Sequence, residues 1–417
     1  MTFSPTKVKA LGSVATFAAG NAASSLATYV LFLVFAYRSS GEVLGTFSLI
    51  SAGVGILVVV VDTLITQRVV QDTHARGALI DETTSVLSSL APTRLGLTLV
   101  LALTGSVLLG CLSGDLVLSA ATFVLAAGQA TYSIVSTTQS LVATKFVSIQ
   151  ILFTVAGLLA SAWFWFGISN ASTAGLLLAM GASRIVPGGS LLLYDSRRQS
   201  RRRVPRSELR RILVGSSTRA KSAALLVLHI ANAITGNADT MIAGIGGVAL
   251  VGHYQLAQRP MLGLSVLNVS IGQTALKRFV GAKYQLNGWY LALFSSVLVV
   301  WPCLGVVAGV IVNQISPPSV QIPDSVFVVL GLGFGFGAIA AVTGPLLLIR
   351  GEEFALMTAG VVQLVVLILF GLLLVGPMQL TGIAISFAVS KFSVVAIQLV
   401  SLDRAGRVGR RALGSSV

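Results

Sequence analysis

Residues 354–376 read FALMTAGVVQLVVLILFGLLLVG, a run of 23 positions without one charged side chain. At about 1.5 Å of rise per residue such a helix is about 34 Å long, enough to cross the ~30 Å hydrocarbon core of a bilayer. A helix in a water-soluble domain keeps a polar face; this run has none. Lipid leaves backbone groups no outside partner, so a run of this length satisfies them as a helix.

Eleven further runs of the same kind lie outward from it: 11–37, 43–66, 95–112, 116–139, 146–168, 172–194, 222–246, 249–275, 288–312, 325–349 and 381–402. The seventh and eighth are the least apolar, because Asn237, Asp239 and Arg259 interrupt them. The first follows a short basic segment with Lys7 and Lys9 and is too long for a signal-peptide core, so it reads as an uncleaved first helix. Composition agrees along the whole chain. Of 417 residues 55% are hydrophobic and 10% charged, against about 25% charged in a soluble domain, and the mean hydropathy is +0.91. The expected fold class is an all-α integral membrane protein with twelve transmembrane helices.

The net charge of +15 would suggest nucleic acid in a soluble protein. Here the cations stand between the apolar runs, and no basic–aromatic pattern accompanies them. With both termini in the cytoplasm, 24 of the 28 Lys and Arg fall at or beyond that interface, and only Arg38 lies on an outside loop. The bias toward the cytoplasmic side fixes the expected orientation. Its densest part, Arg197 to Arg211, is a topological anchor touching anionic lipid. Outside loops are short, the largest being about a dozen residues (313–324), which argues against an enzyme working at the outer face. Cys111 and Cys303 lie in apolar runs and His74, His229 and His253 are scattered. Neither a disulfide framework nor a metal site is expected, and no cofactor is implied.

The halves align at an offset of 207 residues. Leu44-Gly45-Thr46-Phe47 falls on Val251-Gly252-His253-Tyr254, Ala174-Gly175 on Thr381-Gly382, Ser183-Arg184 on Ser390-Lys391, and Ser25 and Thr28 on Asn232 and Thr235. Six spans per half bring both halves into the membrane in the same sense, so two six-helix lobes related by a pseudo-two-fold axis along the membrane normal are expected. The lobes are 1–194 and 212–417, the latter ending in a basic cytoplasmic tail, and the Arg-rich 195–211 links them on the cytoplasmic side.

Ionisable groups at membrane depth are expensive and mark function. Arg184 and Lys391 sit near the middle of the sixth and twelfth spans, Arg259 in the eighth, Asp239 in the seventh and Asp62 near the inner end of the second. Two cations at repeat-equivalent places do not neutralise each other. With Arg259 they suit a phosphate or pyrophosphate in a central cleft. Arg259 has a competing reading, as the ion-pair partner of Asp239. Asp239 is either that partner or a coupling residue, and Asp62 is read as an interfacial neighbour of Arg68. Asn232, Thr235 and Asp239 share one helix face, Gln255 and Arg259 another, and Tyr132, Ser136 and Gln139 a third; these are expected to line the cleft, with helix–helix hydrogen bonding as the bland reading. Pro187, Pro260, Pro302 and Pro345 can kink their spans. Gly331, Gly333, Gly335 and Gly337 serve either close packing or bending.

The segment from Arg38 through Gly45-Thr46-Phe47 resembles the link between the first two helices of polysaccharide repeat-unit (Wzx-type) flippases, of the multidrug, oligosaccharidyl-lipid and polysaccharide exporter superfamily. Asp239-Thr-Met-Ile-Ala-Gly followed by Val251-Gly252-His253-Tyr254 and Gln255 to Arg259 looks like the opening of that family's second half, and 344–351 and 381–385 resemble its later helices. The resemblance implies a two-lobed V-shaped bundle working by alternating access in the bacterial inner membrane. It implies an undecaprenyl-diphosphate-linked oligosaccharide as cargo, for cell-surface polysaccharide biosynthesis, with membrane lipids and polysaccharide polymerase machinery as partners. It also implies a cationic cavity, onto which Arg184, Arg259 and Lys391 map. The alternative is a cation-coupled multidrug exporter of the same superfamily, for which Asp239 is the candidate carboxylate. A membrane polymerase would need a catalytic carboxylate pair that is not visible.

Overall fold

The computed structural model describes residues 29–75, 86–139, 152–163, 172–199, 219–268, 288–316 and 320–414, apart from a few positions inside those ranges. Nine helical elements are used below: α1 Gly41–Ala75, α2 Ala91–Ser113, α3 Leu116–Gln139, α4 Thr173–Gln199, α5 Arg219–Ile245, α6 Val248–Leu264, α7 Gly288–Ile315, α8 Asp324–Ile349 and α9 Glu353–Gly414. Seven helices among the described residues are long and apolar enough to cross a membrane, one of them the 52-residue stretch Glu353–Arg404. The first run, 11–37, lies largely outside the described residues, as do the 201–218 part of the Arg-rich segment and the side chains of Arg68, Ser136 and Gln139.

The long α9 carries two of the expected spans. It breaks at Gln379, whose φ of 47° and ψ of −123° place it in a backbone region that favours glycine. The break falls in the gap between the runs 354–376 and 381–402, beside Pro377, which cannot donate a helical hydrogen bond. Pro187, Pro260, Pro302 and Pro345 are inside α4, α6, α7 and α8.

Two compact units divide the chain, Met1–Leu226 and Val227–Val417. In the first, α1 packs on α2, α3 and α4, α2 on α3, and α3 on α4. In the second, α7 and α9 flank α8, and α6 touches α7, α8 and α9. α1 starts at Gly41 and α6 at Val248, 207 positions apart. The short motif that carries the offset is core in both units: Leu44, Phe47, Val251 and Tyr254 are all buried.

Small residues let the helices approach. A Cβ on Gly181 of α4 would stand 2.6 Å from the Val124 carbonyl oxygen of α3, and one on Gly188 2.9 Å from Thr131 Cβ. The glycines of α8 behave likewise. A Cβ on Gly331 would meet the Trp301 backbone at 2.5 Å, one on Gly333 the Phe387 ring at 2.6 Å and one on Gly335 Val297 at 2.8 Å. Close packing, the plainer of the two readings of this stripe, accounts for all three.

Lipid-facing surface is apolar, as on α2, where Val100, Leu103, Val107, Leu108 and Leu112 are exposed. α2 ends in a left-handed Gly114, φ 69°, whose N–H donates to the Gly110 carbonyl, while Asp115 Oδ1 accepts from Leu118 N–H at 2.9 Å and starts α3. No heavy atom lies within 4 Å of a Cβ built on Gly114, so Gly114→Ala pays only for backbone conformation. It is expected to cost about 1–2 kcal/mol, read as a lower unfolding midpoint in detergent with unchanged membrane insertion.

Candidate functional site

Arg184 lies between Gly181 and Gly188 on the face of α4 that approaches α3. Its guanidinium carbon stands 5.2 Å from the centroid of the Tyr132 ring. That ring in turn meets Phe153 edge-on at 4.8 Å. Arg184 is half-buried. An aromatic face offsets about 1–2 kcal/mol for a half-buried cation, while a cation at mid-helix costs about 2.5–3.5 kcal/mol even on the mildest scale. The ring therefore supports the charge without fully balancing it.

In the second unit the repeat-equivalent Lys391 has its Nζ 5.6 Å from the centroid of Phe387, one turn earlier on α9. Phe387 packs at 5.1 Å on Phe334 in the space that Gly333 leaves. Lys391 is also half-buried. Both cations singled out from sequence thus rest on aromatic platforms, built by different residues in each unit.

Asp239 is 1% exposed. Tyr254 Oη donates to its Oδ2 at 2.9 Å, the Thr240 backbone N–H to its Oδ1 at 2.7 Å, and Gln258 Nε2 also to Oδ2. Gln255 Nε2 extends the network to Thr240 Oγ1 at 2.6 Å and Gln258 Oε1 at 3.0 Å. The hydrogen-bonding partners of this carboxylate are neutral, so the ion pair with Arg259 is not the arrangement found; the nearby ammonium within electrostatic reach is Lys391. The reason is hairpin geometry. α5 and α6 are joined at Gly246-Gly247, with Gly247 at φ 117°, and Asp239 and Tyr254 stand equally far from that turn. Residues equidistant from a tight helical turn face one another, a signal that points to Tyr254 and that a one-helix stripe overlooks.

The other expected lining residues are placed as follows. Asn232 is exposed, whereas Thr235 is buried, with its hydroxyl on the Ala231 carbonyl at 2.7 Å. Gln255 is buried within the Asp239 network. Arg259 is half-buried on α6.

Asp62 has partners that the reading of it as a neighbour of Arg68 did not name, the Arg68 side chain lying outside the described residues. It pairs with Arg94, whose Nη2 donates to Asp62 Oδ1, and it accepts from Ser133 Oγ at 2.8 Å. Arg94 is one of the 24 cations that the sequence puts at the cytoplasmic interface, because the apolar run begins one residue later. Its side chain is 1% exposed and that of Asp62 13%, and its Nε and Nη1 have no hydrogen-bond partner.

No protein-family model and no curated protein sequence matches the chain. Solved structures do. One is a multidrug resistance MATE family transporter of the MOP superfamily in an inward-facing conformation, with TM-score 0.62, 12% identity, and 93% of this chain and 96% of that one covered. Another is the lipid II flippase MurJ in an inward closed conformation, with TM-score 0.66, 13% identity, and 93% and 87% covered. A third is a MOP superfamily transporter from Pyrococcus furiosus, described as having a binding pocket of reverse polarity, with TM-score 0.54, 14% identity, and 95% and 96% covered.

The class is therefore that of multi-pass helical membrane proteins with the fold of MOP-superfamily transporters. Within that fold the chain is similar both to multidrug exporters and to a flippase of a lipid-linked cargo.

Proposed function

We propose that the chain flips an undecaprenyl-diphosphate-linked oligosaccharide repeat unit across the bacterial inner membrane by alternating access, with both termini cytoplasmic. The observation that carries the reading is the pair of half-buried cations, Arg184 and Lys391, at repeat-equivalent positions on aromatic platforms. The ring alone leaves Arg184 short of an anion, which the cargo's pyrophosphate supplies; Lys391 already has Asp239 within electrostatic reach and is the second cation offered to the cargo. Arg259, on α6 in the same unit as Lys391, is a further cation available to an anionic cargo. The likeness to MurJ makes a lipid-linked cargo a natural use of this fold. The test is vesicle reconstitution: transfer of a fluorescent undecaprenyl-diphosphate oligosaccharide between leaflets, absent from protein-free vesicles.

A second reading, the cation-coupled exporter, is favoured by Asp239, a buried carboxylate on neutral donors. Asp239→Asn separates the two. If the carboxylate binds a coupling cation, the variant should lose the dependence of transport on an imposed proton or sodium gradient. If its task is to hold Tyr254 and Gln258 and balance Lys391, gradient dependence should stay as in the parent while the unfolding midpoint falls. Equal transport and equal midpoint would sink both roles.

A further inference from the structure

We propose that Ser133, together with the buried pair Asp62–Arg94, is a positioning device for Arg184. This inference rests on the reading of Arg184 as a contact for an anionic cargo. The chain of contacts is short. Arg94 of α2 holds Asp62 of α1, and Ser133 Oγ of α3 donates to the other carboxylate oxygen at 2.8 Å. The neighbour of Ser133 along α3 is Tyr132, the ring under Arg184.

Consecutive residues of an α-helix point about 100° apart. A hydrogen bond that fixes where Ser133 points therefore fixes where Tyr132 points. Helices in lipid lack the hydrophobic drive that sets helix rotation in water, so polar clamps and tight packing set it instead. α3 has both: glycine contacts hold its distance from α4, and Ser133 sets its rotation against α1. Asp62 is an effective anchor because it is itself immobilised. Arg94, fully buried and with Nε and Nη1 unbonded, has no other charged acceptor among the described residues. The clamp also belongs to one half only, since the positions 207 residues on from Asp62 and Arg94 are Val269 and Trp301. Lys391, whose ring is on its own helix, needs no such device.

The test uses the full-length protein in detergent with farnesyl diphosphate as probe and calorimetry as readout. Ser133→Ala should weaken binding about fivefold, Ser133→Thr should restore it, and the midpoint of unfolding should hardly move. In an Arg184→Ala background, Ser133→Ala should change nothing further, since a device that acts through Arg184 has nothing left to position. The same fivefold loss in that background would overturn the proposal and leave Ser133 a general packing residue. A second readout is independent of cargo: the Arg184 Nε–H resonance, shifted by the Tyr132 ring, should move in Ser133→Ala. If Arg184→Ala binds the probe normally, the cargo reading of Arg184 falls while the resonance still decides the positioning. An unmoved resonance overturns the positioning itself.

Discussion

Changing Arg184 and Lys391 together to Ala should lower transport of the lipid-linked cargo by at least about a hundredfold, with protein level and insertion unchanged. The expectation follows from a comparison of costs. Each cation pays about 2.5–3.5 kcal/mol for its depth on the mildest scale, and its ring returns about 1–2 kcal/mol at a half-buried site. Removing the Arg184 charge therefore removes a penalty; at Lys391 the loss leaves Asp239 on its neutral donors Tyr254, Gln258 and the Thr240 N–H, which keep the carboxylate bonded. What is lost is the charge-assisted bond to cargo, about 1.5–3 kcal/mol per site, and two such losses make the hundredfold. Arg184→Lys should keep part of the activity, because the charge survives and the two-pronged geometry does not. Glycan display in cells whose own gene is deleted, with protein abundance measured alongside, reads the outcome. Normal display by the double variant would place the anion contact elsewhere.

Asp62→Ala should be the most damaging single change to stability. It strands Arg94, whose side chain is 1% exposed, without its counter-charge. Breaking a buried pair from one side costs about 3–5 kcal/mol, enough to deplete the folded form of a marginally stable protein. The companion variant Asp62→Leu/Arg94→Met removes both charges, and apolar replacement of a buried pair is often neutral or better. Yield and monodispersity in detergent should fall for Asp62→Ala and return for the double variant. If the double variant is as poor as the single one, the polar clamp itself, and not the stranded charge, is what the first unit needs.

Much of the fold could be read from hydropathy. The run 116–139 has the same ends as α3, the weak seventh run lies on α5 to within one residue, and the eighth coincides with α6 over 249–264. Hydropathy works here because a long run without charges has few alternatives in lipid. It is a poor guide at the edges of a run. A window that seeks apolar residues stops before Arg94, and so discards the charge that the fold buries. Partners across helices were the other blind spot. Tyr254 and Gln258 reach Asp239 across the Gly246-Gly247 turn, while the stripe Asn232, Thr235 and Asp239 follows one helix and mixes an exposed amide with two buried groups. The repeat was legible as letters and not as chemistry. Phe32 and Phe47 meet ring to ring at 6.2 Å, and the positions 207 residues on are Asp239 and Tyr254, joined by a hydrogen bond. One half keeps an apolar contact where the other keeps an acid.

The glycine contacts of α3 and α4 bear on the proposed transport cycle. Gly128 and Gly181 bring backbone against backbone, and a Cβ on Gly128 would lie 2.9 Å from Gly181 Cα. Helices joined that closely cannot slide without losing the fit along their whole seam, so α3 and α4 travel as one piece. Tyr132 and Arg184 ride on that piece. In the cycle proposed above, the ring and the guanidinium consequently keep their separation, and release of the cargo comes from water reaching the charge, not from the charge leaving its ring.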